Sequence, residues 1–494
     1  MKNRIIQRQR YKNCVFFFCC LLFVFCLLID KTEANNLNVS NVSLGNVSLG
    51  QATAVVQFDI SWDNSWRTNT NYDAAWIFVK YSTNAGASWN HATLKVSGTD
   101  PAGFSAGTGT ALNIVVPVDK KGAFLRRSAN GAGNISTSSI QFIWDYGTDG
   151  VIGTSTVRVK VFAVEMVYIP TAAFYVGSGG SETAAFYAYP TTTNAYLISS
   201  ENSIDVGTTS GYLYYPSTTY GGDRTGPIPA AFPKGYTAFY MMKYDISQGQ
   251  YADFLNILTS TQAASRYPGY SNYRHTISGS YPSYSASRPD RSCNYLSWAD
   301  LCAYADWAAL RPMTELEFEK ACRGTSVPTP NEYAWGNTTI TQATTISGTE
   351  NGTETISNSG ANCNYGSVTF SGGDAGQGPL RCGIFATSSS TRINSGAGYY
   401  GVMDLSGNLW KRAVTVGNAT GRAFTGLNGN GGLDSSGNAD VSYWPDTTAT
   451  GAGLRGGSWT FDTSFARTSY RYYAAYTDPA RNHIYGGRCV RTSP

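Results

Sequence analysis

The sequence predicts an α+β protein, in which an all-β sandwich domain is followed by a larger domain with few helices and much loop. Two observations support this class. Charged residues make up 14% of the chain, while Gly and Tyr number 53 and 34, a composition that favours strands and ordered loops over helical bundles. Short alternating apolar segments fill the first third of the chain, whereas helical patterns appear only after residue 245.

The first 34 residues have the plan of a secretory signal peptide. A basic lead precedes an unbroken apolar run from Cys14 to Ile29, and Thr32-Glu33-Ala34 offers a small-residue cleavage site. The run is short for a membrane span. We therefore expect a secreted or cell-surface protein that meets the membrane only through this export signal, with an uncleaved signal anchor as the alternative.

Residues 35–165 are predicted to form a sandwich of the immunoglobulin-like kind. Alternating apolar segments recur there between small polar residues: Ala54–Trp62, Ala75–Tyr81, Leu112–Val118, Ile140–Tyr146 and Val157–Val164. Four tryptophans fit either a carbohydrate-binding face or core packing: Trp62, Trp66, Trp76 and Trp144. A repeated Asn-Val-Ser-Leu-Gly, residues 41–50, is expected in an edge strand or a linker. We interpret this domain as a spacer or adhesion module.

Residues 166–494 are predicted to form the second domain, which begins with strands and then carries three helices. Each helix has a capping residue and one apolar face, and the three are expected at 248–258 after Ser247, at 298–310 after Ser297, and from Thr314 to Gly324. The rest of this domain is rich in Gly, Tyr, Ser and Thr. That composition predicts long ordered loops.

The C-terminal stretch, residues 454–491, is the strongest candidate for function. Between Trp459 and Gly486 it is aromatic and small-polar with almost no aliphatic residues, the composition of adaptable binding surfaces. The predicted ligand-binding residues are Phe461, Asp462, Ser464, Phe465, Tyr472, Tyr473, Tyr476, Asn482, His483 and Tyr485. The expected ligand is a protein or a carbohydrate at a surface. An exposed loop without function is the alternative.

Charge excludes one class of partner. Removing the six basic and two acidic residues of 1–34 from the 36 and 32 of the whole chain leaves 30 of each. The remaining chain is formally neutral, so it lacks the basic face that nucleic-acid binding requires. No nucleic-acid partner is expected.

Five ordered blocks resemble the formylglycine-generating enzyme, or sulfatase-modifying factor, family across about residues 166–494. They include Ser297-Trp298-Ala299-Asp300, Arg311-Pro312-Met313-Thr314-Glu315, Tyr333-Ala334-Trp335-Gly336-Asn337, Gly407-Asn408-Leu409-Trp410 and Arg455-Gly456-Gly457-Ser458-Trp459. The resemblance implies a C-type-lectin-like fold with little regular secondary structure. It also implies bound calcium in many members.

The family's oxidase chemistry is expected to be absent. Oxidase members use two cysteines that lie shortly after the Gly-Gly-Ser block, and the corresponding positions here are Phe461 and Phe465–Ala466. Ser458 matches an active-site serine of the family but has no base placed to activate it. We predict no catalytic residues, and a family enzyme that modifies sulfatases without the cysteine pair is the alternative.

The resemblance also implies structural sites. Lys411 stands where the family carries an acidic residue that helps to bind calcium, so that site is expected to be lost. A different calcium site is expected around Asn362 and Asp374, and a structural role of these two residues in turns is the alternative. Cys489 matches a family cysteine that bridges to the helix carrying Cys302, which predicts a Cys302–Cys489 disulfide. The remaining cysteines suggest two further pairings, Cys293–Cys322 and Cys363–Cys382.

The frame of the C-terminal stretch resembles the variable region of target proteins of diversity-generating retroelements, in which template adenines are randomised. The frame consists of Arg455–Trp459, Ala466–Ser469, Arg471, Pro479 and Gly487–Arg488. Asn codons treated in this way yield the residue types that occupy 460–466, 472–476 and 482–486. The resemblance implies a ligand-binding protein with a diversified surface.

Overall fold

The computed structural model describes residues 36–216 and 219–494. The predicted signal peptide, residues 1–34, lies outside the described residues. Within the described ranges, no helix combines the length and the apolar character needed to cross a membrane. The described residues pack together as parts of one unit, Lys31–Pro494.

Strands dominate the first third of the described chain. They are β1 (Asn38–Ser48), β2 (Thr53–Arg67), β3 (Tyr72–Ser82), β4 (Asn90–His91), β5 (Gly98–Thr99), β6 (Thr108–Gly109), β7 (Leu112–Val116), β8 (Ala123–Arg127), β9 (Gly131–Trp144) and β10 (Arg158–Ile169). β1, β2, β9 and β6 form one layer, and β10, β3, β8, β7 and β5 form the other. Phe58 of β2 and Leu125 of β8 belong to one core cluster between these layers. The strand-rich region agrees with the predicted fold class.

The remaining described chain has short strands, short helices and long loops. The strands are β11 (Phe174–Val176), β12 (Tyr187–Ala188), β13 (Tyr196–Ile198), β14 (Leu213–Tyr214), β15 (Phe239–Met242), β16 (Ile277–Ser278), β17 (Ser285–Ala286), β18 (Arg311–Pro312), β19 (Ile346–Ser347), β20 (Thr355–Ile356), β21 (Trp410–Val414), β22 (Ala452–Arg455), β23 (Tyr485–Gly486) and β24 (Cys489–Thr492). The helices are α1 (Gln248–Leu255), α2 (Ser260–Arg266), α3 (Trp298–Trp307), α4 (Glu315–Arg323), α5 (Arg392–Ser395) and α6 (Ala419–Arg422).

The three predicted helices are confirmed as α1, α3 and α4. Each begins at a capping box made by the predicted residue, Ser247, Ser297 or Thr314. In such a box two backbone amides that lack helical partners are bonded by side chains, which fixes where the helix begins. α2 has the same device at Thr259 but is not among the predicted helices. Few helices and much loop confirm the α+β class.

One sheet continues from the N-terminal layers into the rest of the chain. β10 pairs with β3 from Arg158 to Tyr168, and its last residues, from Met166 to Ile169, pair with β15 on the other side. The sheet then passes through β24 to β18. Arg491 of β24 also forms an ion pair with Asp119. The two sequence regions therefore share a sheet and buried contacts.

The tryptophans and the short repeat have structural roles in the N-terminal region. Trp62, Trp76 and Trp144 are at most 1% exposed, so they are core residues, and only Trp66 is half-buried. The repeat lies in β1, which pairs with β2 alone among the described strands. Its two asparagines, residues 41 and 46, have φ of +52° and +45° and sit at irregularities in the β1–β2 register. The repeat thus bends an edge strand twice.

Candidate ligand-binding surface

The C-terminal stretch is anchored to helix α4 by a buried ion-pair network, which consists of Glu315, Glu319, Arg323, Arg455 and Arg471. Glu315 accepts hydrogen bonds from Arg455 Nη1 at 2.9 Å and from Arg471 Nε at 2.7 Å. Glu319, one turn later, accepts from Arg455 Nη2 at 2.7 Å and lies 3.3 Å from Arg323 Nη1. All five side chains are buried. The network fixes both the start and the middle of the stretch.

In the network, the pairing of Glu315 with Arg471 favours the ionised form of both side chains although they are buried. Burial alone would raise the pKa of Glu315, but Arg471 and Arg455 lower that pKa more, and the net shift is downward. Burial would likewise lower the pKa of Arg471, but Glu315 raises it overall. The Arg471 guanidinium also lies 3.8 Å from the ring centre of Phe186, a cation–π contact. Losing either partner would leave a buried charge uncompensated.

Other positions of the predicted frame are mostly buried. The buried ones are Gly456, Gly457, Ser458, Trp459, Ala466, Thr468, Ser469, Gly487 and Arg488. Arg467 is half-buried and Pro479 is exposed. Ser469 shows how the frame is held, because its Oγ accepts a hydrogen bond of 2.7 Å from Arg323 Nη2 in the network.

Nine of the ten predicted ligand-binding residues reach the surface. Asp462 is exposed, and the half-buried ones are Phe461, Ser464, Phe465, Tyr472, Tyr473, Tyr476, Asn482 and His483. Tyr485 is only 4% exposed. Its hydroxyl donates to Asp478 Oδ2 at 2.8 Å, and the Arg412 guanidinium lies 4.5 Å from its ring centre. Tyr485 therefore supports the surface from beneath.

Three of these tyrosines form a tyrosine cluster with Tyr220, a residue that sequence reasoning missed. The Tyr220 ring centre lies 5.6, 5.4 and 4.7 Å from those of Tyr472, Tyr473 and Tyr476. The amide of Ala475 donates to the Tyr220 carbonyl at 2.8 Å. Tyr220 lies in a loop without periodicity about 250 residues earlier in the chain, and only its tyrosine-rich surroundings hinted at a role.

Phe461 and Phe465 belong to the positions at which the resemblance led us to expect the oxidase cysteines, which are Phe461 and Phe465–Ala466. Phe461 and Phe465 have ring centres 4.6 Å apart, and both pack on Trp410, at 5.3 and 6.1 Å. Trp410 is 1% exposed, so the two phenylalanines cover an apolar floor. The hydroxyl of Ser458 lies 3.1 Å from that of Thr460. This part of the surface offers apolar contact area.

A second aromatic group adjoins the end of the stretch. We call Tyr270, Tyr273 and Tyr295 the aromatic ledge. Tyr273 stacks on His483 with ring centres 4.1 Å apart and lies 5.4 Å from Trp459. Tyr270 stacks on Tyr295 at 3.9 Å. Burial lowers the pKa of His483, so its ring is neutral at pH 7. The ledge was not predicted, because only folding brings it to the stretch.

The six cysteines of the described residues are free, buried thiols. This corrects the predicted Cys302–Cys489 disulfide. The other two suggested pairings are absent as well: Cys293–Cys322 and Cys363–Cys382. The thiols behave as core side chains; Cys293, for example, packs in the same apolar cluster as Cys302 and Cys489, whereas Cys322 packs in another. Burial raises the pKa of Cys322 to about 12, which disfavours the reactive thiolate.

Asn362 and Asp374, the predicted calcium ligands, have other partners. Both amide atoms of Asn362 bond to backbone groups. The Asp374 carboxylate accepts two bonds of 2.6 Å from Arg288 and one of 2.9 Å from Arg291, and the Arg288 bonds lower its pKa to about 2. Lys411 is buried at the family's acidic position. These residues do not fit a calcium ion, and the described ranges contain no cluster of three His, Cys, Asp or Glu placed to bind metal.

Comparisons with known proteins agree with the motifs. The family model of the sulfatase-modifying factor enzyme 1-like domain matches residues 208–493. Among solved structures, Treponema denticola variable protein 1 is similar at 12% identity and a TM-score of 0.32, over 67% of this chain and 96% of that chain. No curated protein matches the chain.

Proposed function

The chain belongs to the sulfatase-modifying factor enzyme 1-like family, and from this premise we propose that it is an exported ligand-binding protein which uses the family scaffold for recognition. The ligand would meet the half-exposed residues of the C-terminal stretch. Export is proposed from the signal-peptide pattern of residues 1–34.

One observation carries the proposal: the stretch is divided into a buried frame and a half-exposed aromatic surface. Arg455 and Arg471 are 0% exposed and ion-paired. Tyr472 and Tyr473, which directly follow Arg471, are half-buried and lie in the tyrosine cluster. A rigid frame that presents Tyr with small polar residues is the arrangement of antibody-like binding surfaces, because such side chains lose little conformational entropy on binding.

The chemistry of the site supports recognition over oxidation. A redox or copper-binding cysteine must reach the thiolate form, and the positions that the resemblance assigns to the oxidase pair, Phe461 and Phe465–Ala466, hold no cysteine. Burial raises the pKa of Cys363, in the neighbouring loop, to about 12. The aromatic surface instead supplies apolar area with hydroxyl and amide groups, which suits binding.

We further propose that a retroelement diversifies this surface. The positions at which randomised Asn codons would place their products include Phe461, Tyr472 and His483, and these are half-buried. Substitution there would leave the ion-pair network intact. The test is genomic: a reverse transcriptase gene and a near-copy of the C-terminal coding stretch are expected in the same genome, and their absence would refute diversification.

Binding is tested with the purified protein on paired arrays of glycans and of extracellular proteins. The variants are Tyr472→Ala, Tyr473→Ala and Tyr476→Ala, and the matched control is Tyr443→Ala, since Tyr443 is 64% exposed in another loop. The tyrosine-cluster variants are expected to lose most of the binding, while the control keeps it. Unchanged binding in all three cluster variants would refute the proposal that the C-terminal stretch binds the ligand.

The oxidase alternative has its own assay. The purified protein is incubated with copper, oxygen and a Cys-containing sulfatase peptide, and the peptide mass is measured. No change in mass is expected. Formation of formylglycine would overturn the assignment to recognition.

A further inference from the structure

The aromatic ledge is continuous with the end of the C-terminal stretch. Tyr273 stacks on His483, and the amide of Tyr295 donates to the carbonyl of Asn482 at 3.1 Å. Tyr270 and Tyr273 are 41% and 37% exposed, more than most aromatic residues of the stretch itself. Rings from a separate loop thus extend the same surface.

The ledge is held in a strained backbone conformation. Tyr273, Arg274 and Tyr295 have φ of +49°, +63° and +61°, the left-handed region that bulky residues rarely adopt. Buried polar side chains fix it: Asn294 Nδ2 donates to the Tyr273 carbonyl at 3.0 Å, and Arg291 Nη1 donates to that of Arg274 at 2.9 Å. Of the three, only Tyr273 is exposed, while Arg274 and Tyr295 are buried; strain that the surroundings impose at an exposed position points to a role for Tyr273.

The chemistry of the combined surface favours one kind of partner. In the C-terminal stretch, the charged residues that reach the surface are Asp462, Asp478, Arg467 and Arg481, two of each sign, so the surface has no net basic character to match a phosphate backbone or an anionic membrane. Two small hollows in the described part of the chain are lined by residues outside the stretch and the ledge. Neither hollow adjoins the combined surface, and a broad group of aromatic rings suits a macromolecule better than a small ligand, which favours a concave pocket.

The accessible area of the aromatic rings is closer to the area of a protein interface than to the area that a short glycan covers. The accessible rings are Tyr220, Tyr270, Tyr273, Phe461, Phe465, Tyr472, Tyr473, Tyr476 and His483. If a fully exposed ring offers on the order of 200 Å² and each of these keeps about a quarter of that, the nine rings offer roughly 450 Å² in total, and the neighbouring polar side chains bring the surface closer to the ~800 Å² that each partner buries in a standard protein interface. A short glycan would cover only part of it.

We propose that the ledge is a constant part of the binding surface and that the partner is a protein with an uncharged contact face. This rests on the function proposed above. Tyr270 and Tyr273 lie outside the segment that the retroelement would change, so they contact the partner whatever residues the stretch carries. They would supply shared affinity, while the stretch supplies specificity.

The test uses the full chain on the same arrays of extracellular proteins and glycans. Tyr270→Ala and Tyr273→Ala are compared with Tyr443→Ala, and Tyr273→Phe keeps the ring while removing the hydroxyl. We expect binding to protein spots that falls about tenfold or more in the two alanine variants, as at interface positions that matter. The control should bind as the parent does, Tyr273→Phe should bind more tightly than Tyr273→Ala because it keeps the ring, and thermal unfolding shows whether each variant is folded.

The outcomes separate this inference from the proposed function. Binding that is lost in the tyrosine-cluster variants but kept in both Tyr270→Ala and Tyr273→Ala overturns the ledge and leaves the proposed function standing. Binding confined to glycan spots overturns the protein partner alone. If one of the two ledge variants does not fold, the binding of the other variant tests the ledge. If the parent chain binds no spot on either array, the result counts against the ledge and against the proposed function.

Discussion

Replacing Glu315 by glutamine removes one charge from the centre of the ion-pair network and changes little in size. Glu315 accepts bonds from two arginines, from the Thr415 hydroxyl at 2.9 Å and from the Val416 amide at 2.9 Å. Arg455 keeps Glu319 as a partner after the change. Arg471 has no second carboxylate among its hydrogen-bond partners in the described chain, so its buried guanidinium loses the carboxylate that pairs with it directly.

The expected cost is that of breaking one buried ion pair, about 3–5 kcal/mol. Unfolding entropy is about 2.1 cal/mol/K per residue, or roughly 1 kcal/mol/K for the ~460 described residues, so Tm should fall by about 3–5 °C if the chain unfolds as one cooperative unit. Urea unfolding should show the same loss of free energy. The exposed Thr477, in the same stretch, serves as a control, because Thr477→Ala is expected to change stability by less than about 0.5 kcal/mol.

A double-mutant cycle isolates the ion pair from other effects. Arg471→Met removes the guanidinium, so adding Glu315→Gln to it should cost clearly less than the sum of the two single changes. Additive costs would show that the two side chains do not act together. A loss below about 1 kcal/mol for Glu315→Gln alone would refute the assignment of the network as the anchor of the stretch.

Three other predictions follow from buried groups and from the shared sheet. Burial raises the pKa of Asp404 to about 6, above its unfolded value of about 3.9. The folded state therefore retains this proton, and the free energy of unfolding falls as pH rises from about 4 to about 6. Asp404→Asn should remove that fall in urea unfolding measured across this range, and an unchanged pH dependence would contradict the prediction. Residues 166–494 alone should fail to unfold cooperatively, because the rest of β10 then lacks its pairing with β3 and Arg491 lacks its ion pair with Asp119. A sharp unfolding transition at the Tm of the parent chain would contradict this prediction. Iodoacetamide should label the six described cysteines only after denaturation, which the masses of the labelled peptides report. Rapid labelling of the native protein would contradict buried thiols. A pair of cysteines that stays unlabelled after denaturation without reductant would contradict free thiols.

Local signals made the three longest described helices and most of the long described strands predictable. A capping box is written in four consecutive residues, so Ser247, Ser297 and Thr314 could be read directly. Alternating apolar residues likewise located the long strands. The same signal was present at Thr259 for α2, whose short length and weak apolar face hid it.

Features of the site could be predicted only where they depend on the residues of a single segment of the chain. Exposure of the stretch followed from its own composition, but the burial of Tyr485 depends on Asp478 and Arg412. Tyr220 and Tyr273 join the surface through contacts between distant loops, which no local spacing encodes. The cysteine pairings failed for a related reason: a family pattern shows which cysteines bridge elsewhere, whereas packing decides what each thiol contacts here.

The strand β10 gives the molecule a mechanical property. If the N-terminal end of the described chain is tethered, a load on the binding surface reaches the tether through the eleven residue pairs from Arg158↔Ser82 to Tyr168↔Tyr72. Antiparallel pairs loaded along the strand direction must slip past one another together, since their hydrogen bonds lie across the pull. Under tension the protein would therefore keep its binding surface in a fixed orientation relative to the tether, whereas a flexible linker would let the surface rotate.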